Sequence, residues 1–325
     1  MHLAFALPDP GQSGHGGGTA YVDGLIRAAR DLGHTIDVQT NPEPIFPPGA
    51  IPVIDGMLLP HLRHRLDELI AAGAVAIVHH VSAGAGRDDG ARERVHAAEA
   101  DMLPRLRLVV ATSQPVANRL NTDFGIAAKV VPPGAHDLPR SPAPDADTPL
   151  ILAVGVLTRR KGHDLLLHAA ARLTDLPWQL VIAGDSGREP AHAAELTALV
   201  DELGLTRRAK LVADPAPTAL EQLWRDASIF ALATRWEGYP AAIAEALRRG
   251  IPVVVSDSSD AASMVPIEAG TVVPRDDMAT FGKCLRRLLF DDDLRRDMAE
   301  CAWNAGRKLP GWPERARAFT GLLET

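Results

Sequence analysis

Arg235-Trp236-Glu237-Gly238-Tyr239-Pro240-Ala241-Ala242-Ile243-Ala244-Glu245-Ala246-Leu247 is the stretch on which the reading of this chain turns. Just upstream, Ile229 to Leu232 is a short apolar run suited to a buried strand. Gly238 frees the backbone for a turn. Pro240 suits the first position of a helix, where its missing N–H costs nothing. The N–H groups of Ala241, Ala242 and Ile243 would then be helix-start donors without intrahelical acceptors. Small side chains there let a ligand approach the backbone, and a phosphate is the natural guest. Glu237 stands just before this helix and Glu245 within it. Two carboxylates flanking an anion site suit a ligand with hydroxyls on both sides of a phosphate, in the order sugar, diphosphate, ribose. The competing reading makes Glu237 a solvated loop carboxylate and Glu245 a helix surface group.

The same strand–turn–helix unit recurs on both sides of this stretch. In the first part of the chain, strands are predicted at Leu3–Leu7, Thr35–Gln39, Ile51–Ile54, Ala74–Val78, Leu108–Ala111 and Lys129–Val131. Helical patterns fall between them at Thr19–Leu32, His61–Ala72, Gly90–Met102 and Pro115–Phe124. Leu138 to Pro149 holds four prolines and three charged residues, a composition that fits neither a sheet strand nor a regular helix. Beyond it the alternation restarts. Strands are predicted at Leu150–Val154, Gln179–Ala183, Lys210–Val212, Ile229–Leu232, Pro252–Val255 and Thr271–Val273. Helices are predicted at Gly162–Leu173, His192–Leu203, Thr218–Ala227, Ala241–Arg249 and Met278–Phe290. Apolar strands alternating with helices imply parallel sheets covered on both faces. The fold class expected is therefore α/β, with two doubly wound, Rossmann-like parallel-sheet domains facing a cleft. The boundaries expected are 1–137 for the first domain, 138–149 for a proline-rich hinge, 150–308 for the second domain and 309–325 for a terminal helix. Pro310-Gly311-Trp312-Pro313 breaks the helical tail. The segment after it packs either back on the first domain or on its own domain, and the pattern leaves both open.

Composition narrows the function. The chain has 325 residues and a net charge of −7, with no basic surplus of the kind that nucleic acid or an anionic membrane would require. Peripheral membrane contact through a local patch stays open. The two cysteines, Cys284 and Cys301, form no metal pattern and read as reduced thiols. The N-terminal residues lack a basic leader and read as a first strand, and no apolar run is long enough to span a bilayer. A cytoplasmic location is the expectation. No Asp-x-Asp lies on a loop after a strand, because Asp145-Ala146-Asp147 falls in the proline-rich stretch. No metal and no other cofactor is expected. Gly14 to Gly18 contains no G-x-G-x-x-G, which disfavours a nicotinamide-binding first domain.

The E-x7-E pattern of Glu237 to Glu245 resembles that of the retaining glycosyltransferases of family 4, which have the two-domain B-type fold. Four further runs resemble that family in the right order: Gly16-Gly17-Gly18, Val130-Val131-Pro132-Pro133-Gly134, Val154 to Leu166 with Arg160-Lys161-Gly162, and Ala183-Gly184-Asp185-Ser186-Gly187. The resemblance implies a nucleotide-diphosphate sugar as donor and a hydroxyl acceptor, which leaves a polysaccharide, a lipid or a small metabolite open. It implies that Glu237 holds the donor sugar and Glu245 the ribose. Lys161, with Arg160 beside it, would neutralise the leaving diphosphate. Gly17 and Gly18 would admit the diphosphate or acceptor to the backbone. His79 or His80 would contact the donor sugar, with His79 favoured. Gly184, Asp185, Gly238, Tyr239, Pro240, Ala241 and Ala242 would complete the donor site. His163 is read as helix surface, and Trp236 and Tyr239 as cleft rim or core.

The sequence also departs from the family pattern. Val156 stands where many relatives carry an arginine, and Arg159 or Arg160 is the candidate replacement. Ser258 to Met264 replaces a Gly-Gly-x-x-Glu run and removes a carboxylate. Two alternatives remain: an epimerase or phosphorylase on the same fold, and a non-catalytic subunit that binds nucleotide or a partner.

Overall fold

The computed structural model describes residues 1–9, 17–81, 89–142, 148–236, 239–258 and 261–324. It divides into two compact units, Met1–Gly134 with Pro310–Thr325, and Ala135–Leu309.

In the first unit the elements run β1 (His2–Ala6), α1 (Gly17–Asp31), β2 (Thr35–Gln39), β3 (Ile51–Asp55), α2 (Leu59–Leu62), α3 (Leu66–Ala71), β4 (Val75–Val78), α4 (Asp89–Met102), β5 (Leu108–Ala111), α5 (Gln114–Phe124) and β6 (Lys129–Val130). The strands form one parallel sheet in the order β2-β1-β3-β4-β5-β6. One face is covered by Leu59, Leu62, Leu66, Leu69, Met102 and Leu120, and the other by Tyr21, Leu25 and Phe319. The single helix expected over His61–Ala72 is instead two short helices with a 3-10 turn, Arg63–Arg65, between them. Leu62 and Leu66 on either side of the turn are both buried, while Arg63, His64 and Arg65 between them are not. A tighter turn keeps both leucines on the core side.

The second unit runs β7 (Leu150–Val154), α6 (His163–Ala170), β8 (Gln179–Gly184), α7 (Pro190–Glu202), β9 (Ala209–Ala213), α8 (Pro217–Asp226), β10 (Ala227–Leu232), α9 (Ala241–Arg248), β11 (Val253–Ser256), α10 (Ala261–Met264), β12 (Gly270–Val273), α11 (Met278–Phe290) and α12 (Asp292–Gly306). Its parallel sheet has the order β12-β11-β10-β7-β8-β9. Leu166, Trp178, Leu196 and Leu285 fill one face, and Trp224, Phe230, Ile243 and Leu247 the other.

The last helix, α13 (Trp312–Gly321), belongs to the first unit and packs along α1. Two glycines make room for it. A Cβ on Gly24 would lie 2.4 Å from the Trp312 ring, and one on Gly134 would lie 2.5 Å from the Trp312 backbone. Ala316 and Phe319 then enter the core. The division between the units falls after Gly134, ahead of the proline-rich stretch placed at 138–149. Part of that stretch is anchored on the second unit: the Ser141 N–H donates to the Arg249 carbonyl (2.9 Å) and the Ser141 hydroxyl to the Trp224 carbonyl (2.9 Å).

Each sheet has a point where the strand order reverses. In the first it lies between β1 and β3, in the second between β7 and β10. Ligands of doubly wound sheets bind outside the carboxyl ends of the strands at such points.

Candidate functional site

In the second unit the loops after β7 and β10 flank the reversal point. The end of β7 stays paired beyond the strand, with Gly155 N–H donating to Ala183 (2.9 Å) and Leu157 N–H to Asp185 (2.8 Å). Gly184 permits this approach, since a Cβ there would lie 1.9 Å from the Gly155 carbonyl oxygen. Asp185 accepts from the Gly187 N–H (2.7 Å) and so shapes its own loop. After β7 comes a 3-10 turn, Arg159–Lys161, then Gly162 at φ 64°, then α6. Lys161 folds back over Gly155: a Cβ on that glycine would stand 3.2 Å from Lys161 Cε and 3.5 Å from Nζ. The lysine therefore lies over the carboxyl end of β7.

Arg160 is bound to the segment that leads into Glu237. Its guanidinium donates to the Trp236 carbonyl (2.6 Å) and lies 5.5 Å from the Trp236 ring centroid. Its carbonyl accepts from the Arg235 N–H (2.9 Å). Arg235 in turn makes a two-pronged pair with Asp164 at 3.0 and 2.7 Å. Burial pushes the Asp164 carboxyl up, but the hydrogen-bonded Arg235 outweighs it and holds the group below its ordinary value. The turn after β7 and the loop after β10 are thus tied together. Arg159, the other candidate for the charge absent at Val156, grips Glu195 at 2.7 and 2.6 Å. Trp236 is among the exposed large hydrophobics and is not part of the core.

Glu237 and Gly238 lie outside the described residues. Tyr239 is partly exposed and Pro240 buried. Pro240 caps α9 from outside, at φ −83° and ψ 72°, so the helix starts one residue later than its first-turn preference suggests. Two of the three expected orphan donors also have local acceptors. The Ala241 N–H donates to the Tyr239 carbonyl (3.0 Å) and the Ile243 N–H to the Pro240 carbonyl (2.9 Å). Ala241 is exposed and Ala242 partly so, leaving a small-residue helix start. Glu245 is partly exposed, and Arg249 donates to its Oε1 (3.1 Å). Burial raises the Glu245 carboxyl above its ordinary value, with Arg249 opposing.

The first unit gathers a second set. Gly17 opens α1, and Gly18 lies against the His79 ring, where a Cβ would stand 3.2 Å away. His79 follows β4 and is nearly buried. Tyr21 meets its ring edge-on at 5.3 Å between centroids, and Asp55 Oδ2 stands 3.3 Å from its Nε2. Asp55 is buried at the end of β3 and accepts from the Met57 N–H (2.9 Å). His80 is partly exposed. Among the described residues no group of three or more His, Cys, Asp or Glu could hold a metal, and no helix is long and apolar enough to cross a membrane.

The profile of the family described as Glycosyl transferases group 1 matches residues 136–304. The chain belongs to this family. A D-inositol 3-phosphate glycosyltransferase from Corynebacterium jeikeium (strain K411) is 31% identical over 221 residues, 61% of this chain and 52% of that protein. The mannosylfructose-phosphate synthase of Agrobacterium fabrum (strain C58 / ATCC 33970) is 28% identical over 169 residues, 46% of this chain and 37% of that one. This group 1 chain spans about half the length of the curated relatives it matches, or somewhat less. Among solved structures, sucrose-phosphate synthase from Thermosynechococcus elongatus matches at a TM-score of 0.83 and 20% identity, covering 100% of this chain and 98% of that one. Anabaena HepE in complex with UDP and glucose matches at 0.80 and 17% identity, covering 100% and 99%. These likenesses establish the two-sheet B-type fold for this group 1 chain.

Three placements in this group 1 chain went unread in its sequence. Asp55 beside His79 had one signal, an acidic residue ending an otherwise apolar strand adjacent to β4. Arg249, which the sequence pattern marks only as the end of the Ala241–Arg249 helix, is buried. His163 was read as helix surface and is also buried, its Nε2 lying 3.3 Å from the Val156 carbonyl oxygen. Burial, with Lys161 nearby, lowers its pKa to about 4 from an ordinary 6.5. The folded state thus favours neutral His163, whereas the unfolded chain protonates it below about pH 6.5. Stability from this group is complete above that pH and is lost as the pH falls toward 4. Denaturant titrations should show about 2 kcal/mol less stability at pH 5 than at pH 8 from His163 alone. His163→Asn should flatten that part of the profile, and an unchanged profile would reject the assignment.

Proposed function

We propose that this chain is a retaining glycosyltransferase that moves a sugar from a nucleotide-diphosphate donor to a hydroxyl acceptor. The observation that carries the reading is Lys161 folded over the carboxyl end of β7 at the sheet's reversal point, beside the small-residue start of α9. Glycosyl transfer leaves negative charge on the departing diphosphate. A fixed cation beside the positive end of a helix stabilises that charge as it develops. Lys161 takes this role, with Arg160 able to supply a second cation if a donor displaces it from Trp236. Glu237 receives the sugar hydroxyls and Glu245 the ribose hydroxyls. Gly17 and Gly18 admit the diphosphate or the acceptor to the backbone, and His79 or His80 contacts the sugar. Retention without an enzyme nucleophile calls for attack from the leaving-group face, with the diphosphate taking the acceptor proton. The reading calls for no metal or cofactor beyond the donor, and for work in the cytoplasm.

A thermal-shift screen of UDP, GDP, ADP and their sugars tests the reading. A ligand at a hundred times its Kd stabilises by about 2.7 kcal/mol. One nucleotide diphosphate should stand out, and its sugar should then be transferred. Two relatives carry names built on inositol 3-phosphate and mannosylfructose phosphate, which makes phosphorylated polyols and sugars the first acceptors to try. No shift with any diphosphate would reject the donor site. Release of an inverted free sugar nucleotide, or a strict need for free phosphate, would instead identify an epimerase or a phosphorylase.

A further inference from the structure

Arg249 follows α9, one helical turn beyond Glu245, and its side chain is 2% exposed. A cation buried that deeply needs anionic partners, and it has two. It grips Glu221 of α8 with both terminal nitrogens, at 2.9 and 2.6 Å, and the second of these also donates to Glu245 Oε1 at 3.1 Å. The guanidinium lies 5.6 Å from the ring centroid of Trp224, also on α8. Its Nε is buried without a hydrogen-bond partner among the described residues. The Arg249 carbonyl accepts from Ser141, and the Trp224 carbonyl accepts from the same serine's hydroxyl. One arginine thus joins α8, α9 and the segment that enters the second unit.

We propose that Arg249 is a positioning residue for donor binding: by holding Glu245 through Oε1 it presents Oε2 to the ribose and keeps the carboxyl an acceptor. This inference rests on the reading that Glu245 receives the ribose hydroxyls. The chemistry follows from the pairing. A ribose diol donates two hydrogens, which suits an ionised carboxylate with an oxygen to spare, since a protonated one turns part of its acceptor capacity into an O–H donor. Glu245 has Oε1 committed to Arg249 and, among the described residues, no bond to Oε2. Two groups set its charge. Arg249, from the end of its own helix, favours ionisation, and Glu221, from α8, opposes it. Neighbouring α10 and β11 bring no charged side chain. On α12, Glu300 is tied to Arg140 and Arg295 to Asp292. Glu221 draws on Arg249 more fully than Glu245 does, so the hold on Glu245 is adjustable from a neighbouring helix.

The test measures how strongly the protein prefers a nucleoside diphosphate over its 2′,3′-dideoxy form, by calorimetry between pH 4.5 and 8. The probe is whichever of UDP, GDP or ADP binds best. In the parent the preference falls as the pH drops and Glu245 takes a proton. Glu221→Gln removes the opposing charge, so the midpoint of that fall should move down by about 0.5 or more on the pH scale. Arg249→Lys keeps the charge without the fork, so its midpoint should move up and the preference at pH 7.5 should drop roughly threefold or more. Midpoints that stay with the parent in both variants overturn the proposal. If Arg249→Lys does not fold, the Glu221→Gln midpoint alone decides. Glu245→Gln tests the underlying reading separately. Full preference in that variant removes Glu245 from the ribose site, whereas lost preference with unmoved midpoints rejects only the role of Arg249.

Discussion

Lys161→Ala is expected to reduce the transfer rate by about a hundred- to a thousandfold, the scale seen when one fixed donor to a developing anion is removed. The site makes this a clean test. Lys161 rests on Gly155 at the end of β7, and comparing the thermal midpoints of variant and parent separates a lost role in transfer from lost stability. The loss should exceed the loss in donor binding. In the proposed reading the ground-state diphosphate is already charged and also meets the start of α9, whereas the additional charge appears only as the sugar departs. The expected pattern is therefore a large fall in kcat with a smaller weakening of nucleotide diphosphate affinity. Lys161→Arg should recover only part of the rate, because the guanidinium fork is broader than the ammonium that lies over Gly155. Parental kcat and parental diphosphate affinity in Lys161→Ala would remove Lys161 from the site.

Much of this arrangement was legible in the sequence because it is written locally. Runs such as Leu150–Val154 and Ile229–Leu232 lie on central strands buried on both faces, so apolar continuity alone marks them. The reversal point puts the loops after β7 and β10 side by side, so Lys161 and the start of α9, taken from motifs far apart in the chain, fall at the same end of the sheet. The misreadings are of another kind. Pro240 has first-turn preference, but the Tyr239 and Pro240 carbonyls already accept the opening N–H bonds, and the helix starts after the proline. His163 and Arg249 carry polar side chains at helix ends, where exposure is the local expectation. Their burial depends on partners supplied from elsewhere. Val156 turns its carbonyl toward His163, and Glu221 reaches Arg249 from a helix that begins well before β10. No local pattern encodes such pairings.

Gly162→Ala is expected to destabilise the second unit by about 2–5 kcal/mol, through two costs that act on the same atom. The residue sits at φ 64°, a left-handed conformation that costs an L side chain roughly 1–2 kcal/mol. Its new Cβ would also fall 2.0 Å from the Ala233 carbonyl oxygen and 2.9 Å from its carbon. Both of those are backbone atoms at the end of β10, so no side chain can swing aside. Relief requires moving the turn away from the strand, and overpacking of this kind typically costs about 1–3 kcal/mol, occasionally more. Gly204→Ala separates the terms. Gly204 lies in the same unit at φ 68° with nothing within 4 Å of a built Cβ, so it should show the conformational cost alone. Denaturant midpoints of the two variants should therefore differ by the contact term. The same displacement carries Lys161 with it, because that residue immediately precedes Gly162, and the folded fraction of Gly162→Ala should bind nucleotide diphosphate less tightly than Gly204→Ala does. Equal destabilisation in the two variants would mean that the turn is not pressed against β10, and the link between the β7 loop and the β10 loop would fail with it.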